Sequence, residues 1–263
     1  MSLVTTRNNV RVDGDGKRSM IFAHGLGCDQ SMWRLVAPAF SADYRTVLFD
    51  HVGAGGSDLS AYDPIKYASL TGYADDLIEI AQDLNLAKVV FVGQSVSCMI
   101  GVLASIKAPE LFESLVLIGP SPRYIDDDAY HGGFSADDIA ELLRLMDDNY
   151  LGWSATMAPV IMGNPDRPEL ADELATLLCR TDPALAKAFA SVTFNSDNRA
   201  DLASVKTRTL ILQSSEDVIA STPVGTFVHR SIAGSTLVQL RATGHCPNIS
   251  APDETIAAIR AFV

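Results

Sequence analysis

The chain has 263 residues, 48% of them hydrophobic and 20% charged, and a formal net charge of -12. That length suits one large domain or a core with an insertion, and the composition supplies a sizeable core and excludes a disordered chain. The acidic balance argues against nucleic acid and anionic membranes, whose phosphates would be repelled, and leaves a neutral substrate open.

Val10 to Val12, before Asp13-Gly14-Asp15-Gly16, reads as a first strand and a turn. Ser19 to Ala23 is a second apolar strand. It runs into the glycine-rich loop His24-Gly25-Leu26-Gly27 and then an expected helix with Trp33, Leu35 and Val36. Arg45 to Phe49 is a strand that ends at Asp50 and the loop His51 to Asp58. From Leu70 to Leu84 the apolar residues Tyr73, Leu77, Ile80, Ala81 and Leu84 fall at helical spacing. Val89-Val90-Phe91-Val92 is a β-branched and aromatic run, as in a strand buried on both faces of a parallel sheet. Met99 to Ala104 continues it as a helix, and Leu115 to Gly119 is the next strand. Alternating strands and helices imply a mostly parallel twisted sheet flanked by helices.

The alternation stops near Pro120. Residues 121–204 hold no strand pattern; helical stretches run from Ala136 to Tyr150, Gly152 to Met162, Glu169 to Cys179 and Pro183 to Ser191, with Pro and Gly between them. This reads as a helical lid inserted over the carboxyl edge of the sheet. The core is then 1–120 and 205–263. Thr209 to Gln213 resumes the sheet, Thr236 to Leu240 is the last strand, and Asp253 to Val263 is a closing helix.

Ser95 sits between the Val89 strand and its helix, in Gly93-Gln94-Ser95-Val96-Ser97. A serine at such a sharp turn projects its hydroxyl above the sheet edge, and small neighbours let strand and helix approach. The hydroxyl needs a base, and the base needs an acid to fix its tautomer. Asp217 follows the strand ending at Gln213, and His245 follows the strand ending at Leu240. In a parallel sheet these ends share one edge, and the order Ser95, Asp217, His245 is that of an α/β-hydrolase triad. Glu216 is the rival acid; capping a helix is the plainer role for Asp217. Val96 N–H and Leu26 N–H are the expected oxyanion donors. His24 is read as a brace for its loop; His51, His131 and His229 as solvated or structural.

Cys28, Cys98 and Cys246 fall beside this machinery. Their spacing matches no structural zinc pattern, so they read as small buried residues, and no metal or cofactor is expected. With Cys179 they form no C-x-x-C pair. A chain this long does not need disulfides. No basic-then-apolar leader and no apolar run of ~20 residues is visible, so the expected location is the cytoplasm.

Several stretches carry a family resemblance: Gly25-Leu-Gly-Cys-Asp-Gln-Ser31, Tyr67 to Tyr73, Gly93-Gln-Ser-Val-Ser97, Gly119-Pro-Ser-Pro-Arg-Tyr124, Tyr130 to Phe134, Asn149 to Trp153, Phe194 to Asp197 and Gly244-His-Cys-Pro247. On these the chain resembles, nearly end to end, the α/β-hydrolases that include the bacterial energy-stress regulator RsbQ and the plant strigolactone and karrikin receptors. The resemblance implies a four-helix V-shaped lid over a deep apolar pocket. It also implies triad positions at Ser95, Asp217 and His245 and oxyanion positions at Leu26 and Val96. Leu26 is commonly Phe in that family and Gln94 commonly His. The expected pocket residues are Tyr124, Phe134, Trp153, Met157, Phe189, Phe194 and Ile219, with Val160 and Val192 as further lid candidates. The expected activity is hydrolysis of a small hydrophobic ester or lactone. The alternative is a ligand-dependent regulator whose protein partner, a stress-signalling phosphatase, reads the acidic lid helices.

Overall fold

The computed structural model describes residues 2–263. Its strands are β1 (Arg11–Asp13), β2 (Arg18–Ala23), β3 (Tyr44–Phe49), β4 (Val89–Gln94), β5 (Phe112–Ile118), β6 (Arg208–Gln213) and β7 (Thr236–Gln239). Its α-helices are α1 (Leu3–Arg7), α2 (Leu70–Asp83), α3 (Val96–Lys107), α4 (Ala136–Asp148), α5 (Tyr150–Met162), α6 (Pro168–Leu178), α7 (Pro183–Phe194), α8 (Thr222–Ser231), α9 (Pro247–Ser250) and α10 (Pro252–Phe262).

The strands form one sheet in the order β1-β3-β2-β4-β5-β6-β7, parallel except where β1 meets β3. This is an α/β-hydrolase fold. Strand residues alternate between two cores: Met20, Phe22, Val90, Val92, Val116 and Ile118 pack on one face, and Ile21, Ala23, Val89, Phe91, Leu115 and Leu117 on the other. Each of these side chains larger than alanine, taken fully out of water, contributes about 1.5–3 kcal/mol of transfer free energy. The central place of β4 therefore follows from a run with no polar side to expose.

The expected helix around Trp33 is replaced by two short 3-10 turns, Gln30–Trp33 and Ala37–Phe40. Pro38 has no N–H to continue a helical ladder, and Trp33 and Phe40 are buried against Phe22 instead. Helix α8 and short α1 and α9 add to the elements expected from sequence.

Four helices, α4 to α7, lie between β5 and β6, close to the expected stretches, with only isolated bridges such as Ile125 to Phe134 beside them. Ser135 and Asp138 close a reciprocal cap on α4; Asn149 caps α5 through Gly152 N–H, and Asp182 caps α7. Helix α4 packs on α7, α5 on α6, and α4 meets α5.

Candidate active site

Ser95 stands between β4 and α3 with φ 58 and ψ -125, a left-handed backbone that costs a non-glycine residue about 1–3 kcal/mol. Its N–H donates to Ile118 O at 2.9 Å, and its C=O accepts from Cys98 N–H at 2.9 Å, so both sides of the turn are held. Strand β2 pairs directly with β4, Ala23 opposite Gly93, which brings the His24–Gly27 loop beside Ser95.

The structure brings Ser95, His245 and Asp217 together. His245 Nε2 lies 2.8 Å from Ser95 Oγ, and Nδ1 lies 2.7 Å from Asp217 Oδ2. An ionised carboxylate only accepts, so Nδ1 carries the proton and Nε2 turns a lone pair to the hydroxyl. The other oxygen of Asp217 accepts from Ile219 N–H at 2.8 Å and Ala220 N–H at 3.0 Å. Asp217 thus closes a local turn with one oxygen while the other faces His245; the helix that follows has its N-cap at Ser221, not at Asp217. Glu216, the rival acid, is exposed, and its backbone forms a bridge to Thr243. Gly119, at φ +59, allows the close approach: a Cβ there would lie 3.1 Å from His245 Cε1 and 3.4 Å from Asp217 Oδ2.

Among the described residues, neither Leu26 N–H nor Val96 N–H has an acceptor in the protein. Two backbone donors are therefore unused beside Ser95. His24 Nδ1 bonds Gly25 O at 2.9 Å, and Ser97 Oγ donates to His24 O at 2.6 Å, so His24 does brace this loop. His51 is not solvated. It is fully buried, 2.8 Å from Ser97 Oγ, and burial with nearby His24 holds its pKa well below the ordinary histidine value.

Ser95 and His245 open on a small cavity with a largely apolar lining. Of the seven residues expected in the pocket, Tyr124, Trp153, Met157, Phe194 and Ile219 line it, joined by Leu26, which was expected only as an oxyanion donor. Two do not. Phe189 stacks on Tyr73 at 4.4 Å and meets the His51 ring at 5.6 Å, within the core on the opposite face of the sheet. Helical spacing marked Phe189 as buried but not which neighbour buries it. Phe134 lines an outer groove between α4 and α5 instead, because its backbone is tied to Tyr124 and Asp126 just before the α4 cap. Val160 is exposed, and Val192 packs with Phe189's core. Leu142, Ile161, Leu174, Leu178, Thr193, Cys28, Gln94 and Cys246 complete the cavity wall.

The cysteines expected to be small buried residues are buried at Cys28, Cys98 and Cys246, while Cys179 is exposed. Burial, with help from Asp29, pushes the Cys28 thiol up to about 12, and burial raises Cys246 as well. Neither is a ready nucleophile. Among the described residues no cluster of His, Cys, Asp and Glu has the makings of a metal site, and no helix is long and apolar enough to cross a membrane.

The chain is 39% identical to the strigolactone esterase D14 of Arabidopsis thaliana over 96% of this chain and 94% of the other. It is 36% identical to the karrikin insensitive 2 receptor CA of Petunia hybrida over 98% and 96%. The solved structure of a hydrolase from Oleispira antarctica superposes with a TM-score of 0.96 at 39% identity, covering 99% of this chain and 96% of that one. The sequence profile of the alpha/beta hydrolase family matches residues 20–258. With that match, these relatives and a serine poised on a histidine, the chain belongs to the alpha/beta hydrolase family and is a serine hydrolase.

Proposed function

We propose that the protein hydrolyses a small hydrophobic ester or lactone through an acyl-enzyme on Ser95. The observation that carries this is the chain Ser95 to His245 to Asp217, at 2.8 and 2.7 Å, opening on an apolar cavity. Ser95 Oγ attacks the substrate carbonyl while His245 Nε2 takes its proton. The carbonyl oxygen gains the charge and is received by Leu26 N–H and Val96 N–H. His245 then gives its proton to the departing alkoxide, which leaves an acyl group on Ser95. A water molecule, deprotonated by His245, releases the acid and restores the serine. An apolar cavity favours neutral, compact acyl and alcohol groups.

The test is Ser95→Ala. Hydrolysis of a short-chain ester panel is expected to fall on the order of 10⁴-fold with the fold retained, and mass spectrometry of the wild type should place a transient adduct on Ser95. Undiminished turnover in a folded Ser95→Ala protein would overturn the assignment.

A second reading, ligand-dependent regulation of RsbQ type through a phosphatase partner, is favoured by the word receptor in the name of the Petunia hybrida relative. Its expected acidic docking face is mostly spoken for. Glu141 and Asp148 pair with Arg144, Asp147 with Lys187, Glu173 with Arg34, and Asp138 caps α4. A partner would have to displace these pairs or use the apolar groove between α4 and α5. Ligand-dependent capture of a phosphatase, with turnover far below the ~10 s⁻¹ typical of enzymes, would favour this reading over the first.

A further inference from the structure

We propose that Gln94 is a positioning residue that holds the His245 loop in register with the nucleophile. The inference rests on the Ser95 acyl-enzyme reading above. Gln94 precedes the nucleophile and is only 1% exposed. Its side chain turns beneath the site instead of out to solvent. Nε2 donates to the main-chain carbonyl of His245 at 2.9 Å, and the Cys246 sulfur lies 3.9 Å from the same nitrogen. That bond fixes which way round the carboxamide lies. Oε1 then points into the space a side chain on Gly25 would take, 2.1 Å from the position of that missing Cβ, itself 3.3 Å from Ser95 Cβ. One buried side chain therefore touches the base loop, the Gly25–Leu26 loop and the nucleophile's own turn.

The opposite side of the His245 main chain is held as well: its N–H donates to Ile161 O of α5 at 2.8 Å. The imidazole thus hangs from a residue gripped at both its N–H and its C=O. Without the Gln94 bond the carbonyl is buried and unpaired, and the residue can rotate about the remaining grip. A displacement of about 1 Å at a reacting group can cost on the order of 10²-fold. Gln94 forms part of the cavity wall, so the loss is read in the step where His245 moves a proton and not from KM. It also falls unevenly. A p-nitrophenolate leaves without a proton, whereas an ethoxide needs one from His245.

The experiment compares ethyl butyrate with p-nitrophenyl butyrate in wild type, Gln94→Met and Gln94→His. Gln94→Met keeps the length and loses both hydrogen-bonding atoms. Its kcat/KM, which reports acylation, is expected to fall about 100-fold on the ethyl ester and less than about tenfold on the nitrophenyl ester. Gln94→His restores an N–H donor and should recover most of the ethyl-ester rate. If Gln94→Met does not fold, Gln94→Asn, whose carboxamide is too short to reach the His245 carbonyl, must show the same split. Equal losses of kcat/KM on both esters, or no change, would overturn the role of Gln94 with the triad intact. A wild type without Ser95-dependent hydrolysis would overturn the triad reading and this inference together.

Discussion

Helices α4 and α5 belong to the same inserted segment but are attached in different ways. The end of α5 is stitched to the loop that carries His245. Ile161 O takes the His245 N–H, Asn164 Nδ2 bonds Met162 O at 2.6 Å and Thr243 O at 3.1 Å, and Thr243 Oγ1 donates to Gly163 O at 3.1 Å. Arg167, just beyond, donates to Ser250 O at 2.8 Å. Helix α4 has no such stitching. It buries only Ile139 and Met146, its Arg144 pairs with Glu141 and Asp148 of the same helix, and Asp147 meets Lys187 of α7 at the surface. The roof over the cavity is therefore half fixed wall and half loosely seated helix. Elements with little buried apolar area and exposed ion pairs open at lowest free energy. On this difference α4 is expected to open before α5, whose end is tied to the His245 loop.

The strongest way to break this comparison is Gly244→Ala. Gly244 lies at φ +80, and a Cβ there would sit 1.7 Å from Met162 O, so the end of α5 and the His245 loop must separate. We expect kcat to fall on the order of 10²-fold, with a lower melting temperature. Retained activity in steady-state assays would mean that the stitch does not align the base. Next is Asn164→Ala, which strips a buried donor from two carbonyls; urea unfolding should register a loss of about 1–3 kcal/mol. A third effect is pH-dependent and concerns α7, the neighbour of α4, whose Phe189 rests on His51. His51 stays neutral in the folded protein because burial and His24 depress its pKa, whereas the unfolded chain takes up the proton near pH 6.5. The unfolded state therefore binds more protons below that pH. This contribution to stability is present above it and is lost on acidification, by up to about 1.4 kcal/mol per pH unit, until the folded pKa is reached. Melting curves between pH 5 and 8 should show this slope, and His51→Asn should flatten it. The smallest effect is Arg144→Ala on α4. Its partners are exposed, so melting temperature and hydrolysis should not move; a clear drop in either would show α4 to be structurally committed.

The strands, their mostly parallel arrangement and the meeting of Ser95, Asp217 and His245 were legible because they depend on local patterns: apolar runs, the small residues around the turn, and strand ends on one edge. The helices of the insertion were legible from their Pro and Gly boundaries. Phe189 was misplaced because periodicity reports burial, not the partner, and α7 has core on two sides. Helix α8 was missed although Ser221-Thr222-Pro223 is a plausible start; Gly225 interrupts its pattern, and it is glycine because Gln213 Oε1 lies 2.1 Å from its Cβ position. The stitching of α5 to Thr243 and Gly244 was not legible at all. Its acceptors are main-chain carbonyls, and its side-chain donors Asn164, Thr243 and Arg167 are some 80 residues from their partners, so no local pattern announces the pairing.

Ser95 occupies a backbone conformation that glycine adopts freely and L-residues resist. The fold would be better served at that position by a residue with no side chain, up to the strain of about 1–3 kcal/mol. Stability and chemistry therefore pull in opposite directions at a single atom. A laboratory evolution campaign that selected for heat resistance alone would find Ser95→Gly among its gains. It would return a sturdier protein with nothing left to attack a carbonyl, so any thermostabilised variant of this chain should be sequenced at position 95 before its inactivity is blamed on rigidity.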